Sequence, residues 1–289
     1  MRNYKLIKNA NLKDFCTFHI GGKAKFLYIV HSIDQLLGVC RHCSKHNIKY
    51  KVIGMGANLL FDDLGFNGAI IVNKSSDIII ENNTVWVDSG VNLTNLILTL
   101  KQHNFGGFEA LCGIPSTIGG GVVNNVGAFG VELGEFVKTV EVCRKDNLSS
   151  PIFLKNLDCK FSYRNSIFKH EDYIITRVCL QLQQKDIFEI EKVIAESVHK
   201  KAATQPLNNY CAGSVFKRSN IIPAKIIDDL GLKGYRIGDA QISPKHAGFI
   251  INNGSATAQN VKDLIVFIQN EVYLKTYEKI EPEIEFVKP

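Results

Sequence analysis

A glycine-dense tract from Gly106 to Gly134, with Gly119-Gly120-Gly121 inside it, limits what this chain can fold into more than any other feature. Glycine costs roughly 0.5–1 kcal/mol relative to alanine inside a regular element, so such density needs a reason. Amides without side chains can form nests that cradle phosphate oxygens, and they let the backbone come close to a flat ring system. A flexible lid or a series of tight turns is the competing reading. A shorter glycine turn, Gly54-Met-Gly-Ala-Asn58, follows a strand signal at residues 50–53. It lacks the third glycine of the dinucleotide fingerprint, and β-like sequence at 59–61 and 69–72 follows where that fold needs a helix. No Gly-x4-Gly-Lys-Ser/Thr run is present, so Rossmann and P-loop sites are both disfavoured. Two glycine turns in one N-terminal region point to an extended ligand carrying a diphosphate.

The 289 residues are enough for about two domains with real cores. Hydrophobic residues make up 45% and charged residues 21%, which excludes disorder as the main state. The longest apolar runs fall far short of the roughly 18 residues that span a bilayer, and residues 1–13 carry no apolar signal region. We therefore expect a soluble, cytoplasmic protein that does not insert into membranes. A net charge of +6 is scattered rather than clustered, so a small anionic ligand is a more natural partner than nucleic acid. The eight cysteines read as buried thiols rather than as a disulfide framework.

Strand signals fall at 25–30, 50–53, 137–143 and 173–182, and residues 78–80 and 85–87 flank a hairpin turn. Ser32 caps a helix whose Leu36, Leu37, Cys40 and Cys43 share an apolar face. Asn92 or Thr94 opens a second helix through about His103, and residues 186–201 form an amphipathic one. A polar stretch at 204–209 reads as a linker. Beyond it lie helices near 224–230 and 257–275, a β-like stretch at 247–251, and an extended segment at 283–287.

Several constellations carry chemistry-bearing letters. Cys40-Arg-His-Cys43 with His46 lacks the second ligand pair that zinc requires, and its cysteines continue the helix core face, so no metal is expected. Tyr163-Arg164 sets a phenol beside a guanidinium, the usual fork for carboxylate or phosphate, with a surface salt bridge as the bland alternative. Ser214, in Ala212-Gly-Ser-Val-Phe-Lys217, is not the Gly-x-Ser-x-Gly elbow of hydrolases. Glu281-Pro-Glu283 and His246 are equally ordinary when taken singly.

In this order, however, the segments resemble the UDP-N-acetylenolpyruvoylglucosamine reductase family of peptidoglycan precursor synthesis. The matching pieces are Thr17-Phe-His-Ile-Gly-Gly-Lys-Ala24, 54–60, 113–130 with Glu132, 161–166, 212–217, Asp228-Asp-Leu-Gly-Leu-Lys-Gly234, 243–252 and 281–284. Arg164 and Ser214 lie 50 positions apart, which resembles the shorter-looped, type II branch. Three positions depart from the pattern. Ser116 stands where glycine is usual, Gly121 where alanine is common, and Ser219 where proline follows the arginine.

The resemblance implies an α+β protein with an FAD-binding fold of the vanillyl-alcohol-oxidase (PCMH) type and a smaller substrate domain. By it, residues 1–75, joined by 283–289, form the first FAD-binding subdomain; 76–203 form the second, and 204–282 bind substrate. It implies non-covalent FAD, held by Gly54, Gly56, Ala57, Asn58, Leu59, Gly113, Ile114, Pro115, Gly119, Gly120, Asn124, Gly127 and Ala128. NADPH is the implied reductant and UDP-GlcNAc-enolpyruvate the implied acceptor, on a monomer. Arg164 would stabilise charge developing in the substrate carboxylate, Glu283 would hydrogen-bond the same group, and Ser214 would protonate the adjacent carbon. Tyr163, Lys217, Arg218 and His246 would hold the UDP-sugar. An FAD-dependent alcohol or sugar oxidase of the same fold is the rival enzyme, and a glycine-rich nucleotide-binding module the rival from another class.

Overall fold

The computed structural model describes residues 4–289 and divides them into two compact units through which the chain passes more than once. The first comprises residues 4–7, Phe26–Met55 and Gly68–His199; the second comprises Lys8–Lys25, Gly56–Asn67 and Lys200–Pro289.

In the first unit the Ser32 hydroxyl accepts from the Gln35 amide at 3.2 Å and starts the helix Ile33–Lys45. Leu36, Cys40 and Cys43 are buried as expected, but the fourth buried position of the i, i+3, i+4, i+7 face is Val39, and Leu37 is only half-buried. The helix stops before Asn47, which is left-handed at φ 53°. Burial pushes the Cys40 thiol up to about 12 and that of Cys43 to about 11, the behaviour of core residues rather than reactive ones. Strand Tyr50–Ile53 pairs in parallel with Phe66–Asn73, so β-structure does follow the first glycine turn.

A five-stranded antiparallel sheet completes this unit, in the order Asn147–Lys155, Val137–Arg144, Tyr173–Gln181, Thr84–Asp88, Ile78–Glu81. The last two strands form the expected hairpin, with Asn82 left-handed in its turn. Helix Leu93–Lys101 buries Leu93, Leu96, Ile97 and Leu100 in the same core as Val85, Val140 and Val178. The glycine tract, read as nests, a lid or a series of turns, contains a helix, Ile118–Val123. Thr117 caps it, its hydroxyl accepting from the Gly120 amide at 3.3 Å.

The second unit carries a four-stranded sheet, ordered Tyr210–Ser214, Phe249–Asn252, Ala240–Ile242, Arg236–Ile237. Its long helix, Ala258–Thr276, buries Val261, Leu264, Ile265, Ile268 and Val272. Asp63 closes the start of that helix by accepting from the amides of Ala258 (2.8 Å) and Gln259 (3.1 Å). Strand Leu59–Phe61 lies parallel to Glu285–Val287, with Leu60 opposite Phe286. No helix among the described residues is long and apolar enough to cross a membrane. Nor do the described residues group three His, Cys, Asp or Glu side chains where they could hold a metal ion.

Candidate active site

In the first unit, the two glycine segments meet. A Cβ on Gly54 would lie 2.2 Å from the Thr117 hydroxyl, so only glycine lets the first turn seat against the cap of the glycine helix. Asn92 Nδ2 donates to Met55 Sδ at 3.1 Å, and the Asn92 backbone forms an antiparallel β-bridge with Thr117, fastening the turn from its other side. Gly119 is pressed on Ser89, where a Cβ would meet the Ser89 Cβ at 2.8 Å. Gly113, at φ 83°, donates its amide to Thr94 Oγ1 at 2.9 Å, leaving Gly113 and Pro115 exposed and Ile114 half-buried.

The amides of Ile118, Gly119, Gly120 and Gly121 are bonded to Val91 O, Ser89 O, Thr117 Oγ1 and Thr117 O. These glycines therefore act through close backbone approach. Asn124 turns back to donate to the Gly120 carbonyl at 3.2 Å.

Beyond the helix, Gly127 and Ala128 form a short strand beside Arg164. Its guanidinium Nη2 donates to the Gly127 carbonyl at 2.9 Å, and its Cζ lies 5.3 Å from the Tyr163 ring centroid. A Cβ on Gly127 would sit 2.8 Å from the Val131 carbonyl and 3.4 Å from Arg164 Nη1, so glycine is required for this approach. Arg164 is itself left-handed at φ 55°, and Lys169 Nζ donates to its carbonyl at 2.7 Å. An arginine in that backbone region is uncommon outside turns and sites under constraint.

In the second unit, Gly56 is left-handed at φ 65°, and a Cβ there would stand 2.4 Å from the Phe15 carbonyl. Ala57 is half-buried and Leu59 buried. Asn58 ties the turn to the terminal acid segment: its Nδ2 donates to the Glu283 carbonyl at 3.0 Å, and its own carbonyl accepts from Glu285 at 2.9 Å. Ser214 ends its strand just after Gly213, which is left-handed at φ 79°. The next residue, Val215, accepts from the Glu283 amide at 2.6 Å, so the expected proton donor and acid stand on neighbouring backbone rungs. Lys217 is paired with Glu281 at 3.2 Å rather than with Glu283.

His246 Nδ1 accepts from the Gly248 amide at 3.1 Å, which leaves Nε2 to carry the proton of the neutral ring. Burial holds this histidine below its ordinary value, and the positive charges of Lys233 and Arg218 push the same way. Three nitrogen-bearing side chains thus share one neighbourhood. Ser219, the departure from proline, donates its amide to Ile221 O at 3.2 Å, while its hydroxyl accepts from Ile221 N at 3.4 Å. A proline could make neither bond.

Sequence reading singled out Asn124 and passed over Asn125, the neighbour that is buried and hydrogen-bonded to the Arg164 turn. The Asn-x-Gly spacing of Asn125 and Gly127, with its left-handed asparagine, was the available signal. Thr117 was also passed over, because the turn it seats against, at Gly54, lies 63 positions away in sequence.

Fold and matches together define an FAD-binding flavoprotein whose C-terminal region carries a family signature of its own. The family model described as "FAD binding domain" matches residues 24–147, and that described as "UDP-N-acetylenolpyruvoylglucosamine reductase, C-terminal domain" matches 205–287. The UDP-N-acetylenolpyruvoylglucosamine reductase of Caldicellulosiruptor bescii is 40% identical over 98% of this chain and 91% of its own length. That of Caldanaerobacter subterraneus subsp. tengcongensis is 36% identical, covering 99% and 95%. The crystal structure of the reductase from Thermus caldophilus matches with a TM-score of 0.83 at 30% identity, over 99% of both chains. The chain belongs to the UDP-N-acetylenolpyruvoylglucosamine reductase family, and its fold is the expected FAD-binding α+β fold. An alcohol or sugar oxidase is not favoured by these matches.

Proposed function

We propose that this protein reduces the enolpyruvyl double bond of UDP-N-acetylglucosamine enolpyruvate to give UDP-N-acetylmuramate, with NADPH as reductant and non-covalent FAD as cofactor. The residues fit that cofactor. Gly54, Gly56, Gly119 and Gly127 each occupy a position where a side chain would collide with a neighbour, and Gly113 is left-handed, which keeps two turns close and bare. Ala57, Asn58, Leu59, Ile114, Pro115, Gly120, Asn124 and Ala128 complete the loops assigned to it. When bound, FAD supplies the two-electron transfer from NADPH to the vinyl carbon.

The protein's own groups handle charge and the proton. Electron transfer to the vinyl carbon drives negative charge into the substrate carboxylate. Arg164, fixed by Gly127 and Tyr163, is the cation assigned to that charge, where a preorganised donor has most effect on the transition state. Glu283 is assigned to hydrogen-bond the same carboxylate in its protonated form, and Ser214 to deliver the proton to the adjacent carbon. Lys217, Arg218, His246 and Tyr163 are assigned to the UDP-sugar.

The observation that carries the reading is the 2.6 Å bond from the Glu283 amide to Val215, which sets an acid next to the serine-bearing strand end from nearly 70 positions away. We assign 1–75 with 283–289 and 76–203 to the flavin, and 204–282 to substrate. Pairing of Glu285–Val287 with Leu59–Phe61 supports the return of the C-terminal segment. We place the protein in the cytoplasm, where NADPH and nucleotide-sugars are made, as a monomer.

One anaerobic cuvette tests the core of this. NADPH should bleach the flavin absorbance, and the enolpyruvyl nucleotide should restore it with one equivalent of product. Bleaching without recovery on adding that substrate would refute the acceptor.

A further inference from the structure

The turn that carries Arg164 is fastened to the glycine loop at three points. Ser166 Oγ donates to the Val123 carbonyl at 2.7 Å, Arg164 Nη2 to the Gly127 carbonyl at 2.9 Å, and Asn125 Nδ2 to the Ser162 carbonyl at 3.0 Å. Asn125 differs from the other two in what else it holds. Its Nδ2 also donates to Glu132 Oε2 at 2.6 Å, and its Oδ1 accepts from the Gly134 amide at 2.8 Å. The residue is 2% exposed.

A primary amide offers two N–H donors and one acceptor oxygen, and here both kinds are used. Turning the amide over would set oxygen against the Ser162 carbonyl and the Glu132 carboxylate, so the network fixes its orientation. The backbone at φ 40° is one that asparagine tolerates and most residues do not. No other side chain combines that backbone tolerance with this donor set at this length.

We infer that Asn125 is a positioning residue for the reaction: its amide holds the Ser162–Asn165 turn, and through it sets the Arg164 guanidinium against the Gly127 carbonyl. The inference rests on the assignment of Arg164 to the substrate carboxylate. The competing role is local, namely holding the short helix Leu133–Phe136 through the Gly134 amide. Asn125→Asp separates the two. It keeps the acceptor for Gly134 and the left-handed backbone, but it replaces the donor with an oxygen facing Ser162 and Glu132.

The experiment is a double-mutant cycle with Arg164→Ala on the FAD-loaded enzyme, reading the two half-reactions separately. In Asn125→Asp, flavin bleaching by NADPH should stay within about threefold of the parent, while reoxidation by UDP-GlcNAc-enolpyruvate slows on the order of 10²-fold, the effect of a misplaced catalytic group. In the Arg164→Ala background the same substitution should change reoxidation by less than about threefold, because nothing is left for it to position. Equal losses in both backgrounds, or equal losses in both half-reactions, would overturn the inference. If Asn125→Asp does not retain FAD, Asn125→Gly goes through the same cycle; if neither retains it, Asn125 holds the flavin loop and the inference fails. Should Arg164→Ala alone leave reoxidation at the parent rate, the active-site assignment itself is wrong.

Discussion

The Glu283 amide donates to the Val215 carbonyl at 2.6 Å, which fixes the acid segment one residue along from Ser214. Asn58 braces the same segment by donating to the Glu283 carbonyl at 3.0 Å. A backbone bond of this kind survives side-chain replacement at either residue, so the two side chains can be removed one at a time without losing the frame.

Ser214→Ala should therefore fold, bind FAD and accept electrons from NADPH at close to the parent rate. Reoxidation by the enolpyruvyl nucleotide should fall by roughly 10²–10⁴, the usual loss on removing a general acid. Rapid-mixing absorbance of the flavin checks both halves. Full-speed reoxidation would remove the serine from the mechanism.

Two glycines that look alike in the sequence should behave differently. Gly54→Ala places a methyl group 2.2 Å from the Thr117 hydroxyl, which cannot swing away without giving up the helix cap at Gly120. Loss of most bound flavin is expected. Gly121→Ala meets Leu133 Cδ2 at 2.9 Å and Val126 Cγ1 at 3.1 Å, both terminal methyl groups rather than a hydroxyl that caps the helix. A helix interior gains up to about 1 kcal/mol from that exchange, so FAD content should hold and stability should change little. The flavin-to-protein absorbance ratio of the two purified variants distinguishes them.

His246 should leave a signature in acid. Its folded-state value is depressed by burial, so the unfolded chain takes up the proton more readily than the folded one. The contribution is whole above the ordinary histidine range near pH 6.5 and is lost as pH falls below it. Between pH 7 and 5, the urea midpoint of the parent should drop more steeply than that of His246→Asn. Matching slopes would show that the ring is not held neutral.

Glu109, by contrast, is held in its charged form. Burial pushes its carboxyl up, but Lys185 Nζ at 2.7 Å and the Gly107 amide together outweigh that and hold it below the usual carboxylate range. Its stabilisation is present above about pH 4.3 and disappears as pH falls through the lower folded value. Glu109→Gln should cost about 1–3 kcal/mol at pH 7, less than a wholly buried pair because Lys185 is partly in water. The gap to the parent should close in acid. A gap unchanged at pH 3.5 would assign the effect to shape alone.

Much of the scaffold was legible because its causes are local. Ser32 ahead of an apolar i, i+3, i+4, i+7 face, and Asn82 between two short apolar runs, determine their elements within a few residues. Strand Asn147–Lys155 was missed because Ser149, Ser150 and Pro151 break its apolar pattern; it lies at a sheet edge, where a missing amide donor is tolerated. The helix Ile118–Val123 was hidden by three glycines, whose propensity cost is offset by the Thr117 cap and close packing on Ser89. Within the site, motif letters identified Arg164, Ser214 and Glu283, but not what holds them. Asn125 acts on a carbonyl 37 positions away, and no local pattern encodes that distance.

The strand Leu59–Phe61 has its partner at Glu285–Val287, so a nascent chain must wait for it. The first unit is fully synthesised by residue 199, while residues 8–25 and 56–67 await segments not yet translated. At roughly 5–20 residues per second, the ribosome needs several seconds more to reach the partner strand. During that interval Phe61, solvent-free in the finished protein, lacks the Val287 rung that pairs with it.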